Sequence, residues 1–226
     1  VLFPYFFLLY MIILMLSLII FDLDGVLYDS KEIHYLALNK ALEEFGEDFI
    51  ISETDHLKTY DGLPTQKKLT LLTKTKGLDE NLHEKIWSKK QSYTSQLLGE
   101  INKDEFLREN LKTLSKNSKI ACASNSIRTT VEEVLTNLGI IEYFDLILSN
   151  EDVQTAKPHP EIYWKCMVEF QVLPSETLII EDSPVGRKGA EMSGANTMFV
   201  NKSSDLDQEF FSNLLYYENK EYSNKM

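Results

Sequence analysis

Short apolar runs alternate with helical patterns along most of the chain. Five runs have the length of buried strands, and they cover residues 18–21, 120–123, 146–148, 178–180 and 197–200. Short apolar strands separated by helical segments are typical of a parallel α/β sheet. Each of the first four runs is followed by polar residues. Because ligands bind outside the carboxyl ends of the strands in such sheets, we expect these polar tips to lie close together.

Nearly 100 residues separate the first two predicted strands, far more than one crossover helix requires. The segment is largely helical in pattern, and its first apolar face, closed by Gly46 as a helix end, contains Ile33, Leu36, Ala37, Ala41 and Phe45. We therefore predict a helical cap domain at residues 30–95, over the active edge of the sheet. The core domain is predicted at residues 15–29 and 96–215, and residues 216–226 form a polar tail.

The N-terminal segment carries no charged side chain from Val1 to Phe21. About 20 apolar residues are enough for a membrane span, but the end of this segment is also needed as the first strand, which leaves about 16. No basic region or small-residue cleavage site supports a secretory signal. Met15 would be a natural start. For residues 1–14 three interpretations stay open: a non-native extension, a membrane anchor and a packed additional element.

Composition narrows the classes of function. Hydrophobic residues make up 43% of the chain and charged residues 26%, as in ordinary soluble globular proteins. The net charge of −12 argues against a nucleic-acid partner, because binding there relies on clustered Lys and Arg. A phosphate site would need locally placed cations. Cys122 and Cys166 are too few for a zinc site or a disulfide framework, so we predict a reducing, cytoplasmic location, although one disulfide between them stays open.

The strongest chemical signal directly follows the first predicted strand. Asp22 and Asp24 are two positions apart, a spacing that lets two carboxylates point at one site. Their repulsion is costly without a cation or a bound proton. A hard divalent metal bound through carboxylate and carbonyl oxygens would meet that need, and magnesium suits phosphate chemistry. Taken alone, the pair is also compatible with a plain turn.

Four motifs together resemble the haloacid dehalogenase (HAD) superfamily. The string DLDGV beginning at Asp22 looks like the first motif of its phosphatases, and Ser124 is similar to the second. Lys157 before a proline resembles the third motif, and the acidic pair beginning at Glu181 resembles the fourth. The motifs occur in family order on predicted strand tips and loops. The resemblance implies a doubly wound, Rossmann-like α/β core with an inserted helical cap.

The same resemblance implies roles for individual residues. Asp22 would be the nucleophile that forms an aspartyl-phosphate, and Asp24 the acid and then the base. Ser124 and the backbone amide of Asn125 would hold phosphoryl oxygens, while Lys157 would neutralise charge on the nucleophile and the phosphoryl group.

A magnesium ion is implied as the cofactor. Its expected ligands are the carboxylates of Asp22 and Asp182 and the backbone carbonyl of Asp24, with Glu181 assisting directly or through water. Metal identity follows from ligand type alone, so manganese or cobalt stays open. The glycines after this acidic pair, Gly186 among them, indicate close packing rather than a phosphate-binding loop.

Within the superfamily the chain resembles the β-phosphoglucomutase and phosphoglycolate phosphatase branch. The second aspartate, Asp24, argues against dehalogenation. His34 matches a histidine that such mutases use near the hinge, although a structural role is an alternative. In the predicted specificity loop from Gly62, Thr65 stands where the mutase pattern has an arginine, and this departure favours hydrolysis.

These motifs predict a phosphatase, and the expected substrate is a small phosphomonoester such as a sugar phosphate. Predicted substrate-binding residues are Asn125, His34, Gly62 and Thr65. We expect a monomer without a nucleic-acid partner, and without a membrane partner unless the N-terminal apolar segment is native. The alternatives are a sugar phosphomutase and, from another class, a catalytically inactive phosphate-binding protein.

Overall fold

The computed structural model describes residues 16–60 and 63–214. The predicted N-terminal extension at residues 1–14, the predicted polar tail at residues 216–226 and the predicted substrate-binding residue Gly62 lie outside the described residues. Within the described ranges, no helix combines the length and the apolar character that crossing a membrane requires.

A parallel sheet of five strands forms the centre of the described chain. The strands are β1 (Leu18–Phe21), β2 (Lys119–Ala123), β3 (Leu146–Leu148), β4 (Thr177–Glu181) and β5 (Asn196–Phe199). Their spatial order is β3-β2-β1-β4-β5, so the chain builds outward from β1 to one edge and then to the other. This is a doubly wound α/β sheet, and the predicted fold class is confirmed. The order reverses between β1 and β4, where such sheets bind ligands.

The described helices of ten residues or more lie between consecutive strands along the chain. They are α1 (Lys31–Glu43), α2 (Thr65–Lys76), α3 (His83–Leu98), α4 (Glu105–Leu114), α5 (Arg128–Asn137), α6 (Glu161–Phe170) and α7 (Pro184–Ser193). Shorter helical turns lie at Glu47–Phe49, Glu53–Asp55, His56–Tyr60, Glu80–Leu82, Ile141–Tyr143, Asn150–Asp152, Pro174–Glu176 and Ser203–Asp205.

The chain divides into two compact units. The sheet and helices α4 to α7 belong to the first, which takes the chain up to Asp29 and again from Lys103. The second, Ser30–Asn102, is helical in its described residues. Its core is formed by α1 packed against α3, with buried side chains from α2.

Helix α1 ends earlier than its pattern predicts. It stops at Glu43, and Gly46 lies beyond it with a φ of 145°, where it opens the next helical turn. Leu36 is 44% exposed, whereas Leu38 and Leu42 are buried. The buried face is therefore rotated toward positions that pack on α3, because burial rather than local spacing decides which apolar stripe faces inward.

The alternation of side chains along β1 and β4 determines to which face of the sheet the polar residues at their carboxyl ends point. Ile20 of β1 and Ile179 of β4 pack with α6 in one apolar cluster. Because alternate side chains point to the same face of a sheet, Asp22 and Glu181 continue these two rows at the carboxyl end. Helix α6 lies on that face and contributes Tyr163 to the same cluster. Both cysteines are buried and free, so the disulfide that the sequence left open does not form.

Candidate active site

Asp22 extends the central strand by one residue. Its backbone nitrogen donates to the carbonyl oxygen of Ile180 at 3.0 Å, which continues the ladder between β1 and β4. The chain then turns tightly, with the nitrogen of Gly25 donating to the oxygen of Tyr28 at 2.7 Å. Asp22 is only 6% exposed. A carboxylate so deeply buried needs a charged or hydrogen-bonding partner.

Lys157 supplies that partner. Its Nζ lies 2.6 Å from Oδ1 of Asp22, 2.6 Å from Oε1 of Glu181 and 2.7 Å from the carbonyl oxygen of Ala123. An ammonium group has three protons, so these three acceptors use all of them. The side chain is 3% exposed. Burial alone would lower the pKa of Lys157, but the carboxylates of Asp22 and Glu181 raise it well above its ordinary value. The ammonium is therefore charged and held in one position.

Asn125 holds the loop that carries this lysine. The backbone nitrogen of Lys157 donates to Oδ1 of Asn125 at 3.0 Å, and Nδ2 of Asn125 donates back to the carbonyl oxygen of Lys157 at 3.3 Å. This reciprocal pair links the tip of β2 to the lysine loop. The side chain of Asn125 thus has a positioning role that the sequence did not indicate. The contact expected between its backbone amide and a phosphoryl oxygen stays a prediction.

Glu181 is fully buried at the end of β4 and has partners on both oxygens. Its Oε1 accepts from Lys157 and from the hydroxyl of Tyr163, each at 2.6 Å. Its Oε2 accepts from the backbone nitrogen of Asp182 at 3.1 Å. Burial raises the pKa of Tyr163 well above its ordinary value, so this hydroxyl keeps its proton and donates it.

Tyr163 was missed in the sequence because it lies in an apolar helical pattern. A signal was present: a buried tyrosine hydroxyl usually finds a hydrogen-bond partner, and this residue is six positions after Lys157. The partner itself, Glu181, is distant along the chain, so the pattern alone did not identify it.

Three buried acidic residues meet at this edge of the sheet. Asp22, Glu181 and Asp182 each offer a carboxylate oxygen, and these oxygens lie within 4.8 Å of one another. Burial, reinforced by repulsion from Glu181, raises the pKa of Asp22 well above its ordinary value, and Lys157 offsets this only in part. Hard oxygen donors and an excess of negative charge fit a divalent cation such as magnesium. Glu181 is the least suited donor of the three, because both of its oxygens already accept hydrogen bonds.

Two glycines make room for these carboxylates. Gly25 has a φ of 91°, and a Cβ there would lie 2.1 Å from Oδ2 of Asp182. A Cβ on Gly186 would lie 2.1 Å from both carboxylate oxygens of Glu181. Neither distance is compatible with a side chain, so the close approach of α7 and of the first turn to the acidic residues requires glycine. Close packing at Gly186 was expected, but its partner was not.

Asp24 lies beside the tip of β2. Its Oδ2 accepts a hydrogen bond from Oγ of Ser126 at 2.7 Å, with Oγ of Ser124 at 3.4 Å. Ser124 is held in place because its nitrogen donates to the carbonyl oxygen of Leu148 at 3.0 Å. The backbone nitrogen of Ser126 donates to Oγ of Ser124 at 2.9 Å, which links the Ser124 hydroxyl to the backbone of Ser126. Ser126 is therefore a contact of Asp24 that the sequence motifs did not include.

The remaining predicted residues belong to the helical unit. His34 lies in α1, where its Nδ1 is 3.1 Å from Nζ of Lys90 on α3. Lys90 is buried. Thr65 is the first residue of α2. The substrate-binding roles of His34 and Thr65 stay predictions, and Gly62 is outside the described residues.

Comparisons with known proteins bear on the family and the fold of the chain. A sequence profile of the haloacid dehalogenase-like hydrolases matches residues 19–200. The chain is 29% identical over 185 residues to a phosphorylated carbohydrates phosphatase of Thermotoga maritima, a match that covers 80% of this chain and 83% of that protein. It is 27% identical over 227 residues to a β-phosphoglucomutase of Bacillus subtilis, covering 90% of this chain and 96% of that protein.

A solved structure shows the same fold. The β-phosphoglucomutase of Clostridium difficile matches with a TM-score of 0.73 at 25% identity, covering 92% of this chain and 99% of that one. Because the family profile spans most of its length, the chain belongs to the haloacid dehalogenase-like hydrolases. It is an enzyme of that class, and the family resemblance of its motifs is confirmed.

Proposed function

We propose that this protein is a magnesium-dependent phosphatase that hydrolyses a small phosphomonoester, such as a sugar phosphate, through an aspartyl-phosphate on Asp22. The contact between Lys157 and Asp22, inside a group of buried carboxylates, carries the proposal. A buried carboxylate beside a fixed ammonium is suited to attack a phosphoryl group whose charge that ammonium neutralises. The phosphatase relative of Thermotoga maritima supports the substrate class.

The reaction proceeds in two transfers. In the first, a carboxylate oxygen of Asp22 forms a bond to phosphorus while the ester P–O bond breaks, and Asp24 gives its proton to the leaving oxygen. In the second, water attacks phosphorus and gives a proton to Asp24, and the bond to Asp22 breaks to release orthophosphate. Ser126 holds the carboxyl group of Asp24 during both proton transfers. Lys157 holds positive charge beside the reacting oxygens throughout.

Magnesium would be held by Asp22, Asp182 and the backbone carbonyl of Asp24, with Glu181 in support. When bound, it would neutralise negative charge on the nucleophile and on the phosphoryl group. Ser124 and the amide of Asn125 are proposed to hold phosphoryl oxygens.

The proposal also covers residues of the helical unit and the location of the protein. His34, Gly62 and Thr65 are proposed to bind the substrate, so alanine at each is expected to raise KM more than it lowers kcat. A cytoplasmic location belongs to the proposal as well, and two free buried thiols are compatible with a reducing compartment.

The test is Asp22→Asn, assayed with an aryl phosphate and magnesium. Without the charged nucleophile we expect turnover to disappear while the melting temperature shows a folded protein. The matched control is Asp48→Asn, the same change at an exposed residue of the helical unit, which should keep full turnover. Unchanged activity in Asp22→Asn would refute the proposal.

Phosphoryl transfer within a sugar phosphate is the second candidate, and the similarity to two β-phosphoglucomutases favours it. Product analysis separates the two functions. Free orthophosphate supports hydrolysis, whereas an isomeric sugar phosphate without release of orthophosphate supports the mutase. Magnesium binding without turnover of any phosphorylated metabolite would favour a phosphate-binding protein instead.

A further inference from the structure

Tyr163 is a polar residue in the middle of an apolar face. It is fully buried on α6, in a cluster with Ile20, Cys166 and Ile179 that packs against the sheet. A phenylalanine would fill the same space with the same ring. The hydroxyl group therefore needs an explanation beyond packing, because a buried hydroxyl costs free energy unless it is hydrogen-bonded.

The hydroxyl reaches the carboxylate that anchors the lysine. It donates to Oε1 of Glu181 at 2.6 Å, and the same oxygen accepts from Nζ of Lys157 at 2.6 Å. The ammonium also lies 5.0 Å from the centre of the tyrosine ring, within the range of a cation–π contact. Tyr163 thus contacts Lys157 with its ring and the partner of Lys157 with its hydroxyl.

The tyrosine ring has little freedom to move. A Cβ on Gly189 of α7 would lie 3.3 Å from the ring and 3.1 Å from the carbonyl oxygen of Pro158, the residue after Lys157. The backbone of α7 therefore packs closely on both the ring and the lysine loop. Because the ring is confined, the hydroxyl oxygen is a fixed point against which the carboxylate is oriented.

Orientation matters because the terminal torsion of a glutamate is soft. Two donors on Oε1 and the backbone nitrogen of Asp182 on Oε2 together fix the plane of the Glu181 carboxylate. Without the tyrosine hydroxyl, Oε1 would have Lys157 as its single donor among these three contacts. The carboxylate would then turn toward Lys157 and draw the ammonium away from Asp22.

We propose that Tyr163 is a positioning residue for the reaction, which acts through Glu181 to hold the ammonium of Lys157 against the nucleophile Asp22. The inference rests on the proposed phosphatase function for its catalytic consequence. Its structural part, the restraint on the ammonium, is independent of any activity.

The variant is Tyr163→Phe, which keeps the ring and removes the hydroxyl. Loss of a hydrogen bond one step removed from the reacting groups is expected to lower kcat about tenfold, with KM nearly unchanged because Tyr163 does not touch the substrate. The matched control is Thr177→Val, which removes a buried hydroxyl at the other end of β4, where Oγ1 donates to the carbonyl oxygen of Leu173 at 3.1 Å. Both variants should lower the melting temperature by similar small amounts, and only Tyr163→Phe should lower kcat.

A second measurement does not require turnover. Proton exchange of the lysine ammonium groups is followed by NMR, and the signal of Lys157 is assigned by its loss in Lys157→Met. We expect exchange at Lys157 to become several-fold faster in Tyr163→Phe and to stay at the wild-type rate in Thr177→Val.

The outcomes separate the two proposals. If wild-type protein hydrolyses the aryl phosphate and Tyr163→Phe matches it in kcat and in ammonium exchange, the positioning role is wrong. An equal loss of kcat in Thr177→Val would also overturn it, because stability alone would then explain the effect. If wild-type protein has no turnover, the phosphatase proposal fails, and the exchange rate alone decides whether Tyr163 restrains Lys157.

Discussion

The two ends of the central strands use different chemistry to satisfy buried polar groups. At the carboxyl end, Asp22, Lys157 and Glu181 form buried ion pairs at 2.6 Å. At the amino end the buried hydroxyl groups make neutral contacts: Oγ1 of Thr177 donates to the carbonyl oxygen of Leu173 at 3.1 Å, and Oγ of Ser118 donates to that of Leu16 at 3.1 Å. The ion pair at this end, between Lys119 and Asp145, is exposed on its lysine side.

The amino end shows that the ends of these strands can be anchored without buried charges. Each buried ion costs several kcal/mol of solvation, which its partner repays only with good geometry. The amino end anchors the same strands without that cost. Charged groups concentrated at one end of a sheet, with perturbed pKa values, are instead typical of a functional site.

The largest difference between the two ends is expected for the removal of one lysine, tested separately at each end. Lys157→Met leaves Asp22 and Glu181 buried without their counter-ion, which should cost about 3–5 kcal/mol of the free energy of unfolding. Loss of the positive charge should also lower kcat by about 10²–10³-fold. Lys119→Met, at the start of β2, removes a lysine that is 55% exposed and paired with Asp145, so it should cost less than about 1 kcal/mol and leave kcat unchanged. Urea unfolding and initial rates measure both effects, and equal losses at the two ends would contradict the comparison.

Added magnesium should stabilise the folded protein through groups at the carboxyl end of the strands alone. Magnesium at about 100 times its dissociation constant should raise the free energy of unfolding by about 2.7 kcal/mol. Asp182→Asn removes one of the buried acidic groups and should abolish most of this increase, whereas Asp145→Asn, beside the amino end of β2, should retain it. Thermal unfolding with magnesium and with a chelator is the measurement. A similar increase in all three proteins would place the ion elsewhere.

One glycine at each end of the sheet allows the two ends to be compared again. Gly186→Ala places a methyl group where Glu181 lies, so it should cost about 1–3 kcal/mol and displace the carboxylate that holds Lys157. A large loss of kcat is expected with it. Gly194 has a φ of 82° and lies before β5 at the amino end, so Gly194→Ala should cost about 1–2 kcal/mol through backbone strain. That variant should keep the wild-type kcat, and a loss of activity there would break the distinction.

The smallest effects are expected from two serines. Ser126→Ala removes the donor to Asp24 and should lower kcat about tenfold, while Ser126→Thr should restore it because the hydroxyl is kept. Ser118→Ala should cost about 1 kcal/mol of the free energy of unfolding, the usual value of one hydrogen bond, without changing kcat. Rates and urea midpoints of the three variants check this, and a normal rate in Ser126→Ala would show that Asp24 needs no such support.

The strands and the motif residues could be predicted because their signals are local. Every predicted strand is present within one residue at either end, since short apolar runs between polar residues form strands in any α/β sheet of this kind. The pair Asp22 and Asp24 was found at the point where the first of those runs ends, whereas the pair beginning at Glu181 was found through the resemblance of its motif to the family. Their roles in the reaction stay predictions.

The contacts that orient these residues could not be predicted, because they join positions far apart in the chain. Ser126 reaches Asp24 across 102 positions, and Lys157 reaches Asp22 across 135. Tyr163 lies among apolar residues in the sequence, and its neighbours carry no information about what its hydroxyl contacts. Gly25 marks a turn in the sequence, but the carboxylate it accommodates belongs to Asp182, which follows β4 more than 150 residues later. Local periodicity determines which segments become strands and helices, whereas the packing of those segments determines which buried polar atoms meet.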